Sequence, residues 1–292
     1  MNLKPSALLN YFSLVKINHT LFSLPFALIG FFLAVNEKGD HVNFRLLLLV
    51  LLCVLFARNA AMGFNRYVDR EFDKKNPRTT LREVPQEIIK PQSALIFVLL
   101  NTVLFIISAG FLNFLCLLLS PVALFIVLGY SFTKRFTYLS HLFLGLGLAL
   151  APIGAYLAVT GQFAVLPFLY SLVVLLWVAG FDIIYALQDI DFDKSENLKS
   201  LPARIGIRPA LLLSAVLHFF AVLLIIVAGL VHPFHWLYWV GCAIFTLLII
   251  YQHLLVKPND LSKVNLAFFT LNGIAGIIYA AFVIADLFLK GM

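Results

Sequence analysis

Apolar runs of about 20 residues, the length a helix needs to cross a bilayer, recur nine times along this chain. They lie near 17–36, 44–66, 93–112, 114–132, 140–160, 164–188, 209–230, 234–256 and 264–289. Inside lipid every backbone N–H and C=O must find a partner within the protein, so runs of this length read as spanning helices. The expected fold is therefore an all-α membrane protein, nine transmembrane helices bundled around a central cavity. The chain is 62% hydrophobic and 12% charged, where soluble domains run near 45–50% apolar and 25% charged. The spans use nearly all of residues 1–292, which leaves a single membrane domain. A net charge of +7 would suggest nucleic acid for a soluble chain; here it has another use, the orientation of helices, and no nucleic-acid partner is expected. Nor does the sequence point to an obligate protein partner. Cys53, Cys116 and Cys242 sit inside apolar runs with neither metal spacing nor a disulfide framework. The first apolar run contains Pro25 and is followed by no Ala-x-Ala, so it reads as a span and not as a cleavable signal.

Orientation follows from the basic residues. With nine spans and the N-terminus cytoplasmic, seventeen of the 21 Lys and Arg fall on the cytoplasmic side; Lys38, Arg45 and Lys290 fall outside, and Arg58 lies within a span. The positive-inside rule selects this arrangement. The long polar loops, 66–92 and 189–208, are then both cytoplasmic, and any chemistry belongs there.

Two polar stripes interrupt the apolar pattern. Arg58, Asn65, Asp69 and Asp73 would share one face of a helix at about 100° per residue. Asp182, Asp189 and Asp193 repeat the spacing four helices later, with Tyr185 on the flank. Recurrence at this distance fits two related halves, about 1–135 and 136–292. A charge in a bilayer costs roughly 3 kcal/mol or more, so such a stripe faces a cavity or a partner. Like charges at i, i+4 also repel, and acids at a helix C-terminus oppose its dipole. The bland alternative is a solvated helix end paired with Arg70, Lys74 and Lys194. A divalent cation between the carboxylates explains both stripes, and oxygen-only ligands beside phosphate suit Mg²⁺. Arg78, Arg82, Lys134, Arg135, Lys199 and Arg204 lie in loops on the same side; singly they are topology charges, and together they form an anion-neutralising rim.

Asn65-x-x-x-Asp69-x-x-x-Asp73 and Tyr185-x-x-x-Asp189-x-x-x-Asp193, on a nine-span chain, resemble the two aspartate motifs of the UbiA superfamily of intramembrane prenyltransferases. The stretches 18–28, 76–79, 130–137 and 180–189 resemble its 4-hydroxybenzoate polyprenyltransferase branch, including relatives from the futalosine route to menaquinone. The resemblance implies Mg²⁺-dependent transfer of a polyprenyl group from its diphosphate to an aromatic hydroxy-acid, 4-hydroxybenzoate or 1,4-dihydroxy-6-naphthoate. It implies that Asp69, Asp73, Asp189 and Asp193 hold Mg²⁺ on the diphosphate, assisted by Asn65, while Arg78, Arg82, Lys134 and Arg135 neutralise the leaving group. The chain departs from the family pattern with Arg66 after the motif asparagine, Lys16 where many members carry arginine, and Glu-Val-Pro-Gln after Arg82.

Arg58, one or two turns deeper than Asn65, has two readings: a ligand of the acceptor carboxylate, or an ion-pair partner of Asp182. Asp182 or Tyr185 is placed to orient the phenol or take a proton. Other UbiA-type chemistry, on haem or chlorophyll, and a membrane transporter stand as alternatives. The near absence of charge in the outer half of the helices counts against a transport path.

Overall fold

The computed structural model describes residues 7–16, 22–39 and 41–289. Among them the regular secondary structure is helical, apart from an isolated bridge between Lys257 and Asp260. The elements are α1 (Ala7–Leu14), α2 (Leu24–Lys38), α3 (Phe44–Val68), α4 (Arg70–Lys75), α5 (Pro91–Leu112), α6 (Phe114–Thr133), α7 (Ser140–Thr160), α8 (Val165–Ala186), α9 (Ile190–Ser195), α10 (Leu201–Ile205), α11 (Ile207–Val231), α12 (Trp236–Leu255) and α13 (Asn272–Phe288). Short turns of other helix types, Leu187–Asp189 and Leu266–Leu271, join α8 to α9 and lead into α13.

Eight of the described helices are long and apolar enough to cross a membrane. The first expected span corresponds to α2, whose 15 residues reach only about 22 Å at 1.5 Å per residue, short of a hydrocarbon core of roughly 30 Å. Residues 17–21 of that expected span lie outside the described residues. The break expected at Leu112-Asn113-Phe114 is present. Asn113 adopts an extended conformation, its side chain accepts the Cys116 N–H at 2.9 Å, and its amide donates to Leu157 O at 2.8 Å. One asparagine thus caps α6 and pins the turn to α7.

Helices α2, α7 and α8 form the spine. α7 packs against both α2 and α8; α3, α5 and α6 lie to one side, and α11, α12 and α13 close the other back onto α2. Lipid-embedded helices gain nothing from apolar burial against each other, so close approach at small residues takes its place. A methyl group on Gly30 would strike the Pro152 carbonyl, and one on Gly145 the Leu175 carbonyl. The core centres on Trp177, fully buried among Phe26, Phe181 and Phe245. Its indole donates to Asn272 Oδ1 at 2.9 Å. Asn272 in turn donates to Ala267 O and Phe268 O at 2.9 and 3.1 Å. These bonds hold the wide π-type turn at Leu266–Leu271, a local widening often found beside functional sites. The turn lays the Phe268 ring on Tyr185, centroids 4.1 Å apart.

At one end of the bundle, Asp286 of α13 caps α12, accepting the N–H groups of His235 and Tyr238 at 2.8 and 3.0 Å. At the opposite end, Lys75 pairs with Glu196 at 2.7 Å, and the Lys199 N–H donates to Lys134 O at 2.7 Å. The two long polar loops meet there.

Candidate active site

The first acidic pair straddles the end of α3. The expected stripe on one uninterrupted helix is corrected: α3 stops at Val68, Asp69 takes φ −90°, ψ 6°, and α4 resumes at Arg70. Backbone hydrogen bonds still run from Asp69 N to Asn65 O and from Asp73 N to Asp69 O, at 2.9 and 2.8 Å, so the chain bends without losing its course. Carboxylates at i, i+4 near a helix C-terminus oppose both each other and the dipole, which favours such a break. Arg70 donates to Tyr67 O at 2.7 Å, covering a carbonyl that the break exposes.

Each aspartate is met by a donor. Asn65 Nδ2 donates to Asp69 Oδ2 at 2.8 Å, and Arg135 Nη2 to Asp69 Oδ1 at 3.3 Å and Val68 O at 2.9 Å. Burial, and after it the neighbouring Asp73 carboxylate, raises the Asp69 carboxyl above its ordinary range against the pull of Lys134 and Arg135. Buried Asp73 accepts Arg82 Nη1 at 2.7 Å, and its Oδ2 has no hydrogen-bond partner.

The second pair is bent in the same way. α8 ends at Ala186, Leu187–Asp189 form a tight turn, and α9 carries Asp193. Arg78 Nε donates to Asp189 Oδ1 at 2.9 Å, with Nη2 on Oδ2, while Nη1 reaches the Tyr185 hydroxyl at 2.7 Å. Asn76 Nδ2 adds a bond to Asp189 Oδ1 at 3.0 Å. Asp193 is 2% exposed, and its Oδ2 too has no hydrogen-bond partner. Lys134 stands among these groups. Burial pushes its ammonium down, but Asp193, Asp189, Asp182 and Asp69 together hold it above its ordinary value.

Of the other cations, Lys16 lies beside Arg66, Arg82 and Arg78; desolvation first and then these charges push its ammonium down. Lys199 and Arg204 are not drawn to the aspartates. Lys199 Nζ donates to Phe136 O at 3.1 Å and Arg204 lies over the Tyr138 ring at 4.5 Å, so both brace the turn after α6.

At the deeper end the two halves of the expected alternative separate. Arg58 Nη2 donates to Val15 O at 3.0 Å and Lys16 O at 2.7 Å, and its Nη1 is buried without a partner. Asp182 pairs instead with His141, whose Nδ1 lies 2.6 Å from Asp182 Oδ2. No Arg58–Asp182 pair forms. Lys16 holds φ 41°, a left-handed conformation costing a non-glycine residue roughly 1–3 kcal/mol; the Arg58 bonds tie its carbonyl down. Arg58, Tyr130, Ser23 and Ser120 are polar members of the lining of a mostly apolar cavity of about 440 Å³ among α3, α6, α7 and α8, to which Met62 and Phe268 also contribute.

Asn76, Tyr130, His141 and buried Arg66 were not among the expected site residues. Asn76 was legible as the start of the Asn-Pro-Arg-Thr stretch. His141, alone on an apolar run, gave no signal. Among the described residues no group of three or more His, Cys, Asp or Glu could by itself hold a metal ion. The carboxylates stand as two pairs, each with an oxygen left free of hydrogen bonds.

Residues 23–274 match the model of the UbiA prenyltransferase family. The chain is 28% identical over 274 residues to the 4-hydroxybenzoate octaprenyltransferase of Aliivibrio fischeri (strain MJ11), covering 93% of this chain and 94% of that protein. It is 30% identical over 243 residues to the enzyme of the same name from Tolumonas auensis, covering 83% and 85%. The apo structure of a UbiA homologue from Aeropyrum pernix K1 superposes with a TM-score of 0.83 at 34% identity, over 92% of this chain and 98% of that one. A UbiA homologue from Archaeoglobus fulgidus, bound to DMAPP and Mg²⁺, shares the fold with a TM-score of 0.74 at 20% identity, over 96% and 99%. This chain belongs to the UbiA prenyltransferase family and is an integral, multi-pass membrane protein.

Proposed function

We propose that this prenyltransferase moves a polyprenyl group from its diphosphate to an aromatic hydroxy-acid, with 4-hydroxybenzoate as the acceptor, in quinone biosynthesis. The observation that carries the reading is the pairing of two environments. A polar mouth of paired carboxylates and five cations, Arg78, Arg82, Lys134, Arg135 and Lys16, stands at one end of the bundle, and an apolar cavity with Arg58 and Tyr130 in its lining lies among the same helices. The mouth suits a diphosphate and the cavity a prenyl chain. The names of the curated relatives support the acceptor.

Two buried carboxylate oxygens without hydrogen bonds, on Asp73 and Asp193, fit a hard cation that completes its shell with phosphate oxygens. Asp69, Asp73, Asp189 and Asp193 would hold Mg²⁺, which when bound supplies stabilisation of charge on the departing diphosphate. The protein's own groups do the rest. Arg82, Arg135, Lys134 and Arg78 are placed to turn from their carboxylates to phosphate oxygens, and Asn65 orients Asp69. The cavity keeps the allylic carbocation from water. Arg58 receives the acceptor carboxylate through its unpartnered Nη1.

We further read α2 as the ninth span: Phe26, Ala27, Ile29 and Phe31 are fully buried, which suits a short helix sheathed by the others. The basic residues support a cytoplasmic N-terminus and a cytoplasmic active site. Residues 1–135 and 136–292 then form two related halves of one domain. The test is direct. Purified protein with labelled polyprenyl diphosphate, Mg²⁺ and 4-hydroxybenzoate is expected to yield the prenylated acid. Release of diphosphate with no prenylated product, from this acceptor or from 1,4-dihydroxy-6-naphthoate, would overturn the aromatic acceptor.

A further inference from the structure

The carboxylates of the site differ in what holds them. Asp189 takes three hydrogen bonds from Arg78 and Asn76, Asp73 pairs with Arg82, and Asp69 with Asn65 and Arg135. Asp182 has no Lys or Arg within ion-pairing distance among the described residues; its recorded partner is His141 on α7, at 2.6 Å. It lies seven residues before Asp189, on α8, next to Phe181, which lines the cavity. Its side chain remains 19% exposed while that of His141 is 3% exposed.

The surroundings of the imidazole bear on the direction of the bond. His141 Nε2 is buried without a hydrogen-bond partner. An imidazolium would carry an N–H at that position, and leaving a buried donor unpaired costs about 1–3 kcal/mol, more if charged. The neutral ring with its proton on Nδ1 avoids this, donates to Asp182 Oδ2 and leaves only a bare nitrogen lone pair at Nε2. Oδ1 of Asp182 is the oxygen not engaged by His141.

From this geometry we propose that Asp182 is the proton acceptor for the aromatic ring and that His141 is the residue that positions it. The inference rests on the prenyl transfer proposed above. In that reaction the prenyl C–O bond breaks with its electron pair going to the diphosphate, and a C–C bond forms to the ring carbon ortho to the hydroxyl. The hydrogen on that carbon leaves as a proton to Asp182 Oδ1, and the C–H pair restores the aromatic ring. The protonated Asp182 then releases the proton to solvent through the polar mouth. Asp182 suits the step because, unlike Asp69, Asp73 and Asp189, it is not neutralised by a directly bonded guanidinium.

The test uses the full chain in detergent or nanodiscs, with Mg²⁺, a polyprenyl diphosphate and 4-hydroxybenzoate, either unlabelled or deuterated ortho to its hydroxyl. Asp182→Asn, close in shape, is expected to lower kcat about a hundredfold or more, the scale of general-base contributions, with both KM values within about threefold. His141→Leu is expected to lower kcat about tenfold, and His141→Asn, whose amide nitrogen stands near the Nδ1 position, to recover most of it by restoring the donor. His141→Leu should also expose a primary deuterium isotope effect larger than that of the wild type, because proton removal becomes slower; a merely structural histidine would leave the isotope effect unchanged. An unaltered kcat in Asp182→Asn, or an unaltered isotope effect in His141→Leu with the wild type active, overturns this assignment alone. A wild type that prenylates no aromatic acceptor overturns the proposed function and this inference with it.

Discussion

Replacing Arg58 separates a substrate ligand from a structural strut, because the structure gives its two terminal nitrogens different work. Nη2 is occupied by Val15 O and Lys16 O, at 3.0 and 2.7 Å, whereas Nη1 is buried with no partner. If Nη1 meets the acceptor carboxylate, Arg58→Ala removes a charge-assisted hydrogen bond worth about 1.5–3 kcal/mol. That is roughly a ten- to hundredfold rise in acceptor KM, at 1.4 kcal/mol per tenfold. The KM for the polyprenyl diphosphate should change little. The same substitution frees the two carbonyls and loosens the segment after α1, so a fall in activity alone decides nothing. The discriminating assay compares 4-hydroxybenzoate with phenol, which lacks the carboxylate. In the wild type kcat/KM should favour the acid; in Arg58→Ala the preference should collapse, with phenol nearly unaffected. Arg58→Lys should fall between, since it keeps charge and loses the planar fork. Equal losses for both acceptors would refute the reasoning and leave Arg58 as an anchor of Val15 and Lys16.

Asp69→Ala and Asp189→Ala are each expected to abolish transfer while the protein still inserts and purifies; full activity in either would remove the metal assignment. Because burial and Asp73 raise the Asp69 carboxyl in the folded protein, ionised Asp69 costs stability above that raised value, and the cost vanishes below the ordinary carboxylate range, where both states are protonated. Asp69→Asn should therefore raise the apparent Tm at neutral pH in chelator, with no such gain in acid, and a lower Tm at neutral pH would contradict the electrostatic account. Asp286→Ala, which uncaps α12, should lower stability by about 1–2 kcal/mol in a thermal unfolding scan, with specific activity of the folded protein unchanged.

The helices were legible because their signal is long and strong: a 20-residue apolar run has little to become in a bilayer except a helix. Asn113 shows the same logic at short range, one polar residue between two apolar runs marking the turn it caps. Spacing also singles out the aspartates as candidates, but not the shape that carries them. The breaks at Asp69 and Asp189 come from repulsion and from loop cations reaching in, which a helical wheel drawn on one helix cannot contain. Arg78 bonded to Asp189 joins residues 111 positions apart in sequence, and the His141–Asp182 pair spans 41. No periodicity links such partners. Lys199 and Arg204 lie away from the aspartates for a related reason: a cation in a loop goes to whichever acceptor its backbone position allows, and here those are a carbonyl and a tyrosine ring.

Two cross-links tie α4 and the loop after it to the segment after α8. Arg78, from the loop after α4, neutralises Asp189 at the end of α8, and Lys75 reaches Glu196 in the same direction. Asp189 is 5% exposed, so removing Arg78 leaves a nearly buried carboxylate without its cation. Breaking a buried pair in this way typically costs about 3–5 kcal/mol; the Arg78 side chain is 29% exposed, and its water contact should bring the loss toward the lower figure. Asp189→Asn in the Arg78→Ala background removes the stranded charge, so the double variant should recover much of the lost thermal stability. It should not recover transfer, because the site then lacks both a carboxylate and a cation. Recovery of stability without activity would separate the electrostatic role of Arg78 in the fold from its role toward the diphosphate. A double variant as unstable as Arg78→Ala alone would mean that Arg78 holds the loop through Tyr185, whose hydroxyl it reaches at 2.7 Å and whose ring it covers at 4.9 Å, and not through charge.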